Sequence, residues 1–279
     1  MAAIINGKEI SKQIKDELKE KVSKMKASGV EPCLAVVLVG EDPASQVYVK
    51  NKKNACEYIG IKSLSYELPE STSEEELLKL VDELNKNDEV NGILVQLPLP
   101  KQIDEDKIIR AISPDKDVDG FHPESVGRLS IGEKGFKSCT PAGIIELLKR
   151  SNIEIDGKEC VIIGRSNIVG KPMGMLMLRE NATVTICHSH TKNIKEVCKR
   201  ADILIVAIGK REMIDASYVK EGATVIDVGM HRKEDGHLTG DVDFESVIPV
   251  CSAYTPVPGG VGPMTIAMLM NNCVESVER

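Results

Sequence analysis

Tryptophan is absent from this chain, and only three phenylalanines and five tyrosines occur in its 279 residues. With aromatics so scarce, a tyrosine beside a candidate site carries unusual weight. An excess of basic residues is missing too. The formal net charge is -7, so no nucleic-acid or anionic-membrane partner is expected. Paired cysteines are missing as well. The eight cysteines (Cys33, Cys56, Cys139, Cys160, Cys187, Cys198, Cys251 and Cys273) include no two within four positions, which excludes a C-x-x-C redox or zinc pattern. They lie in apolar runs such as CLAVVLV and CVIIG, where reduced, buried thiols of a cytoplasmic protein are expected. No apolar run approaches the ~20 residues of a membrane span. The opening MAAIINGKEISKQIKDELKEK turns charged at once and lacks the apolar core of a secretory leader, so a soluble, cytoplasmic protein is expected.

What is present is an ordinary globular composition, 42% hydrophobic and 28% charged, at a length that favours two domains or one large α/β unit. Apolar β-branched runs alternate with charged amphipathic segments. Residues 8–28 read as a helix, CLAVVLVG as a buried strand, 43–59 as a helix and KSLSYEL as a strand. SEEELLKLVDELNKN reads as a helix with acidic residues in its first turn, and NGILVQLPLP as a strand running into a proline-broken loop. Residues 98–140 read as loops and turns, and the domain junction is placed there. A second series begins with the helix PAGIIELLKRS and continues through the strands KECVIIG, ATVTICH, DILIVAIG and ATVIDVG with helices between the first three. Continuous apolar strands alternating with helices imply parallel sheets covered by helices.

ECVIIGRSNIVGKPMGMLML reads as strand, glycine turn and helix. A dinucleotide-binding G-x-G-x-x-G turn lets the backbone approach a pyrophosphate at a helix N-terminus. Here Gly164 is in place, Ser166 stands where a second glycine is usual, and Gly170 follows four residues later; a plain strand-to-helix turn fits the same residues. The next strand ends TICHSHT, without the acid that NAD enzymes use to bond the ribose hydroxyls, while Arg165 lies in the first turn. That combination favours NADP. His188 and His190 have no third ligand at suitable spacing, so no metal is expected and an adenosine-pocket role is preferred.

SQVYVKNKKNACEYIG places Lys50, Lys52 and Lys53 just after Tyr48. On a helix advancing about 100° per residue, Ser45, Tyr48 and Lys52 share one face, continued by Ala55, Cys56 and Ile59. Lys50 and Lys53 point away. A lysine on the burying face is costly unless it has a purpose, although its stem can also carry the charge out to water.

YVKNKKNACEYIGI, VQLPLP, PDKDVDGFHPESVGRL, CTPAG, GRSNIVGKPM and PVPGGVGPMTIAMLM occur in this order. Together they closely resemble the bifunctional methylenetetrahydrofolate dehydrogenase/methenyltetrahydrofolate cyclohydrolases, over residues 4 to 272. The resemblance implies Lys52 as catalytic lysine, Tyr48 as the ring stacked on the folate's aminobenzoyl group, Gln96 beside the lysine with Leu97 next to it, and Asp119 holding the pterin edge. It implies Gly164, Arg165, Ser166, Ser189 and Met230 at the cofactor, and Gly259, Gly260 and Pro263 facing folate. Position 189 is often arginine in that family; serine leaves NADP preference on Arg165 and, less directly, His190.

The resemblance further implies a folate-binding α/β catalytic domain over 1–138, to which a helix at about 262–279 returns, and a Rossmann-type NADP domain over 139–261, with the active site in the cleft between them. The substrates would be tetrahydrofolate derivatives and the assembly a homodimer. Two rival readings remain at this level: an NAD(P) dehydrogenase of the same architecture acting on another metabolite, and a non-catalytic nucleotide sensor.

Overall fold

The computed structural model describes residues 2–278, apart from the side chain of Ala44. In chain order the elements begin β1 (Ala3–Ile4), α1 (Gly7–Ala27), β2 (Cys33–Val39), α2 (Pro43–Ile59), β3 (Lys62–Leu68), α3 (Glu74–Lys86) and β4 (Gly92–Val95). Two short helices, α4 (Glu105–Ala111) and α5 (Pro123–Ile131), precede α6 (Cys139–Arg150). Next come β5 (Glu159–Ile163), α7 (Gly170–Arg179), β6 (Thr183–Cys187), α8 (Ile194–Cys198), β7 (Ile203–Val206) and β8 (Thr224–Asp227). The hairpin β9 (His231–Arg232) and β10 (Leu238–Thr239), the short α9 (Phe244–Val247), β11 (Ala253–Tyr254) and α10 (Val261–Ser276) complete the chain.

These elements group into two compact units. One comprises Lys12–Cys139 and the residues from Ile266 on; the other comprises the residues up to Ser11 and Thr140–Thr265.

The first unit is built on a parallel sheet of order β3-β2-β4. Every residue of β2 and β4 is buried, as a strand covered on both faces requires. Cys33, Ala35, Val37 and Val39 share a core with Leu77, Val81 and Leu84 of α3 and Ile108 of α4. The alternate residues Leu34, Val36 and Leu38 turn to the opposite face and are also buried. Ser73 starts α3 with a reciprocal capping box: its hydroxyl accepts from the Glu76 N–H, and the Glu76 carboxylate accepts from the Ser73 N–H. The stretch read as loop from 98 to 140 in fact holds α4 and α5. Asp104 accepts from the N–H groups of Asp106 and Lys107, and His122 from that of Glu124, followed in each case by a helix too short for its apolar period to stand out.

The second unit is a six-stranded sheet of order β1-β11-β8-β7-β5-β6, parallel at every pairing. The chain leaves β5 for β6 on one side and then returns to β7 on the other. That reversal makes a topological switch point at the C-terminal ends of β5 and β7. The N-terminal strand departs from the 1–138 grouping expected from sequence: β1 pairs with β11 and extends this sheet. Two residues carry no readable period, so nothing in Ala3–Ile4 marked it as a strand.

Candidate active site and dinucleotide turn

In the first unit, α2 begins where the Asp42 carboxylate accepts the Ser45 N–H at 2.7 Å, with Pro43 in its first turn. The helix buries Ser45, Val49, Lys52, Ala55, Cys56 and Ile59. Lys52 is only 8% exposed, whereas Lys50 is exposed and half-buried Lys53 pairs with Glu67 at 2.8 Å. The three lysines therefore separate as the helical spacing requires. Tyr48, half-buried on the Lys52 side, has its phenol pushed up by burial.

The lysine ammonium donates to Gln96 Oε1 at 3.1 Å. Gln96 lies just past the end of β4, its N–H donating to the Val37 carbonyl at 2.9 Å. Its side-chain Nε2 donates to the Leu97 carbonyl at 2.6 Å, which turns Oε1 toward the lysine. A parallel pair of strands and the following helix thus bring two residues 44 positions apart into contact.

Asp119 arrives on a strut along β4. The Ile93 N–H donates to the Lys116 carbonyl at 2.8 Å, and Ile93 bridges to Asp117. A side chain at Gly92 would come within 2.6 Å of Val118, so glycine permits this approach. Asp117, 2% exposed, folds the loop around itself: its carboxylate accepts from the N–H of Phe121 at 3.2 Å, the N–H of His122 at 2.8 Å and the Ser125 hydroxyl at 2.7 Å. Gly120 has φ +72° and no room for a Cβ against the Lys137–Ser138 backbone. From buried Asn272, Nδ2 donates to the Val118 and Lys137 carbonyls at 2.8 and 2.9 Å, tying the same loop down. Sequence reasoning missed both Asp117 and Asn272, although the first aspartate of DVDG was in view.

Burial pushes the Asp119 carboxyl up from the ordinary carboxylate range, and the Lys52 charge pulls it back. The carboxyl is therefore not the unperturbed acid of an exposed loop. Lys52 is thus linked to Gln96 by a hydrogen bond and to Asp119 by charge.

In the second unit, Gly164 follows β5 with φ +131°, and a Cβ there would sit 2.2 Å from the Ala207 carbonyl. A Cβ on Gly170 would meet the Gly164 carbonyl at 2.2 Å. Both glycines are thus required by close backbone approach. Ser166 takes the place of the middle glycine and acts differently: its hydroxyl accepts from the N–H groups of Val169 and Gly170 at 3.2 and 3.3 Å, at the start of α7. Arg165, Ser189, His190 and Met230 are all exposed. Exposed arginine beside a tight glycine turn and a helix N-terminus suits the phosphates of a dinucleotide. Gly259, Gly260 and Pro263 belong to this second unit, where the Gly259 carbonyl accepts from the Lys8 N–H at 2.9 Å. His188 and His190 stand with ring centroids 6.0 Å apart. Among the described residues, no three His, Cys, Asp or Glu side chains group as a metal site.

Residues 5–119 match the profile of the tetrahydrofolate dehydrogenase/cyclohydrolase catalytic domain, and residues 138–279 match that family's NAD(P)-binding domain. A protein of Agathobacter rectalis named Bifunctional protein FolD is 71% identical over 279 residues, covering all of both chains. The solved bifunctional FolD enzyme of Campylobacter jejuni superposes with a TM-score of 0.97 at 52% identity, over 100% of this chain and 99% of that one. The Trypanosoma brucei enzyme, solved with NADP and an inhibitor, gives a TM-score of 0.94 at 36% identity, over 100% and 98% of the two chains. Shikimate 5-dehydrogenase of Thermus thermophilus, at 14% identity and a TM-score of 0.56 over 88% of this chain and 99% of that one, shares the fold alone. With both domains matched in order and identity high along the whole length, this chain belongs to the tetrahydrofolate dehydrogenase/cyclohydrolase family.

Proposed function

We propose that the lysine-bearing unit holds the folate and carries out the hydrolysis, and that the six-stranded unit binds the dinucleotide. The activity is that of the family: oxidation of 5,10-methylenetetrahydrofolate to the 5,10-methenyl form with NADP, then hydrolysis to 10-formyltetrahydrofolate. The observation that carries the assignment of roles is the buried ammonium of Lys52, held at 3.1 Å by Gln96 Oε1 and coupled by charge to the Asp119 carboxyl.

The two reactions ask for different things. Bound NADP supplies the hydride acceptor. The carbon that loses hydride is flanked by two nitrogens whose lone pairs stabilise the resulting cation, so the protein's task there is to orient the folate. Asp119 does this in our reading, accepting from the pterin's amino and ring N–H groups, and Tyr48 stacks on the aminobenzoyl ring. Hydrolysis needs a proton removed from the attacking water and one delivered to the departing ring nitrogen. Lys52 moves that proton, and Gln96 fixes the direction of its Nζ. On the dinucleotide side, Gly164 and Ser166 shape the phosphate turn, Arg165 pairs with the 2′-phosphate, and Ser189 and Met230 border the site. Leu97 lines the folate in this reading.

A homodimer is proposed as the family's assembly, and a cytoplasmic location agrees with eight unpaired, buried cysteines. No helix among the described residues is long and apolar enough to cross a membrane.

The direct test supplies methylenetetrahydrofolate and NADP and follows methenyl absorbance and its decay. Formation without decay would reject the hydrolytic role of the Lys52 cluster, and no formation would reject the reading as a whole. Sedimentation as a monomer would reject the dimer.

A further inference from the structure

Two buried carboxylates in the six-stranded unit are left without a task by the reading above. Asp227 ends β8 and is 1% exposed; Asp241 follows β10 and is fully buried. Asp227 accepts the N–H groups of Gly229 (2.8 Å) and Asp241 (3.0 Å) on Oδ1 and of Val242 (2.9 Å) on Oδ2. Asp241 accepts the N–H groups of Ile208 (2.8 Å) and Gly209 (2.9 Å) on Oδ2, and its Oδ1 lies 2.8 Å from His231 Nε2. The Asp227 N–H in turn donates to Thr255 Oγ1 at 2.9 Å. A Cβ on Gly240 would meet Asp227 Oδ2 at 1.9 Å, and one on Gly229 would meet Asp241 Cγ at 2.5 Å, so the two acids are packed without slack.

Burying two adjoining acids is costly, and the five backbone N–H groups that they accept offset that cost. What the acids provide is position. Asp241 joins the loop after β7 to the segment after β8. The first of these carries Ala207, against which Gly164 of the dinucleotide turn is packed; the second carries Met230, whose neighbour is His231. Both loops leave the C-terminal strand ends around the switch point, where a dinucleotide lies in sheets of this order.

We propose that Asp241 and His231 are positioning residues for the oxidation half of the activity: the Asp241 carboxylate, gripped by the His231 imidazole, sets the Ala207–Gly209 backbone and Met230 for the dinucleotide. The proposal rests on the reading of this unit as the NADP site. His231 is partly exposed, its side chain 23% accessible, so replacing it does not open the core.

The test measures NADP affinity by calorimetry, NADP kinetics at saturating methylenetetrahydrofolate, and hydrolysis of the methenyl form with no dinucleotide present. His231→Ala should weaken NADP roughly tenfold, the worth of one hydrogen bond to a charged group, in both affinity and KM. Hydrolysis should stay at the parental rate, and His231→Gln, whose Nε2–H can donate to Asp241, should recover most of the affinity. Equal losses in both activities would mean a plain structural staple, and unchanged NADP affinity would remove the role altogether. Arg165→Ala is measured alongside. A shift in Arg165→Ala alone overturns the positioning role and leaves the cofactor site standing; a shift in neither overturns both.

Discussion

Replacing Lys52 by methionine keeps an unbranched apolar stem of similar reach, with sulfur in place of one methylene, and removes the amine. The side chain is buried, and methionine is the unbranched apolar residue that comes nearest to filling its space. Two things are lost. The bond to Gln96 Oε1 disappears, worth about 1.5–3 kcal/mol for a charged donor, and the proton carrier disappears with it. General acid–base assistance contributes about 10²- to 10⁴-fold, so the cyclohydrolase rate should fall into that range or below. Oxidation uses the lysine only for placement, and should fall by roughly tenfold to a hundredfold at most. Lys50→Met and Lys53→Met serve as controls. Lys50 is exposed, and the Lys53–Glu67 pair lies at the surface, where solvent screens an ion pair, so both activities should stay within a few-fold. The assay is the pair of initial rates, methenyl formation and methenyl decay, at saturating folate and NADP. Rapid decay with the Lys52 variant, or loss of decay in either control, would refute the helix-face argument and the role built on it.

If the exposed Arg165 pairs with the 2′-phosphate as proposed, Arg165→Ala should weaken NADP by roughly tenfold to a hundredfold while leaving NAD little changed; equal loss of both cofactors by calorimetry would reduce Arg165 to a turn residue. Asp119→Asn keeps the shape of the side chain but, with the pterin held as proposed, turns one acceptor into a donor facing the pterin's donors, so both activities should fall together; normal folate binding by calorimetry would refute the contact. Asp117 gives a pH prediction. Burial raises its carboxyl from 3.8 to about 6, so the folded state binds the proton more tightly than the unfolded chain. Its contribution to stability is greatest below about 4 and declines as pH rises to about 6, by at most about 3 kcal/mol. In Asp117→Asn that part of the pH dependence should vanish from urea midpoints measured between pH 4 and 7, and an identical profile in both proteins would show the acid to be unperturbed.

Helical spacing alone separated Lys52 from its two neighbours, because burial on α2 follows a period that any single sequence displays: Ser45, Val49, Lys52, Cys56 and Ile59 are the residues that bury. The continuous apolar runs of β2, β5 and β7 were equally plain, since a strand covered on both faces has no polar register to confuse it. What stayed hidden is non-local or too short to have a period. β1 and β11 are two residues each and exist because they pair with each other and with β8. Asp227 and Asp241 are 14 positions apart and meet only because β9 and β10 fold back as a hairpin. Asn272 reaches the Val118 carbonyl across 154 positions. Asp119 was legible as a residue type, but its electrostatics were not: the sequence shows a polar DVDG turn, whereas the fold buries that turn against β4 and beside Lys52.

That electrostatic coupling separates two roles that methionine removes together. Burial raises the Asp119 carboxyl, and the Lys52 ammonium opposes the rise. Without the ammonium, the acid that should receive the pterin's N–H groups drifts toward its neutral form, and folate holding weakens for a reason unrelated to proton transfer. Arginine at position 52 keeps a permanent cation near Asp119 but cannot give up its proton at neutral pH. Lys52→Arg should therefore bind folate and oxidise it better than Lys52→Met, yet remain as poor in hydrolysis. The measurement is folate affinity and both initial rates for the two variants between pH 6 and 8. If the lysine served only to keep Asp119 ionised, arginine would restore hydrolysis along with oxidation, and the proton-carrier role would have to be given up. If the lysine were only a proton carrier with no hold on Asp119, the two variants would bind folate equally at every pH.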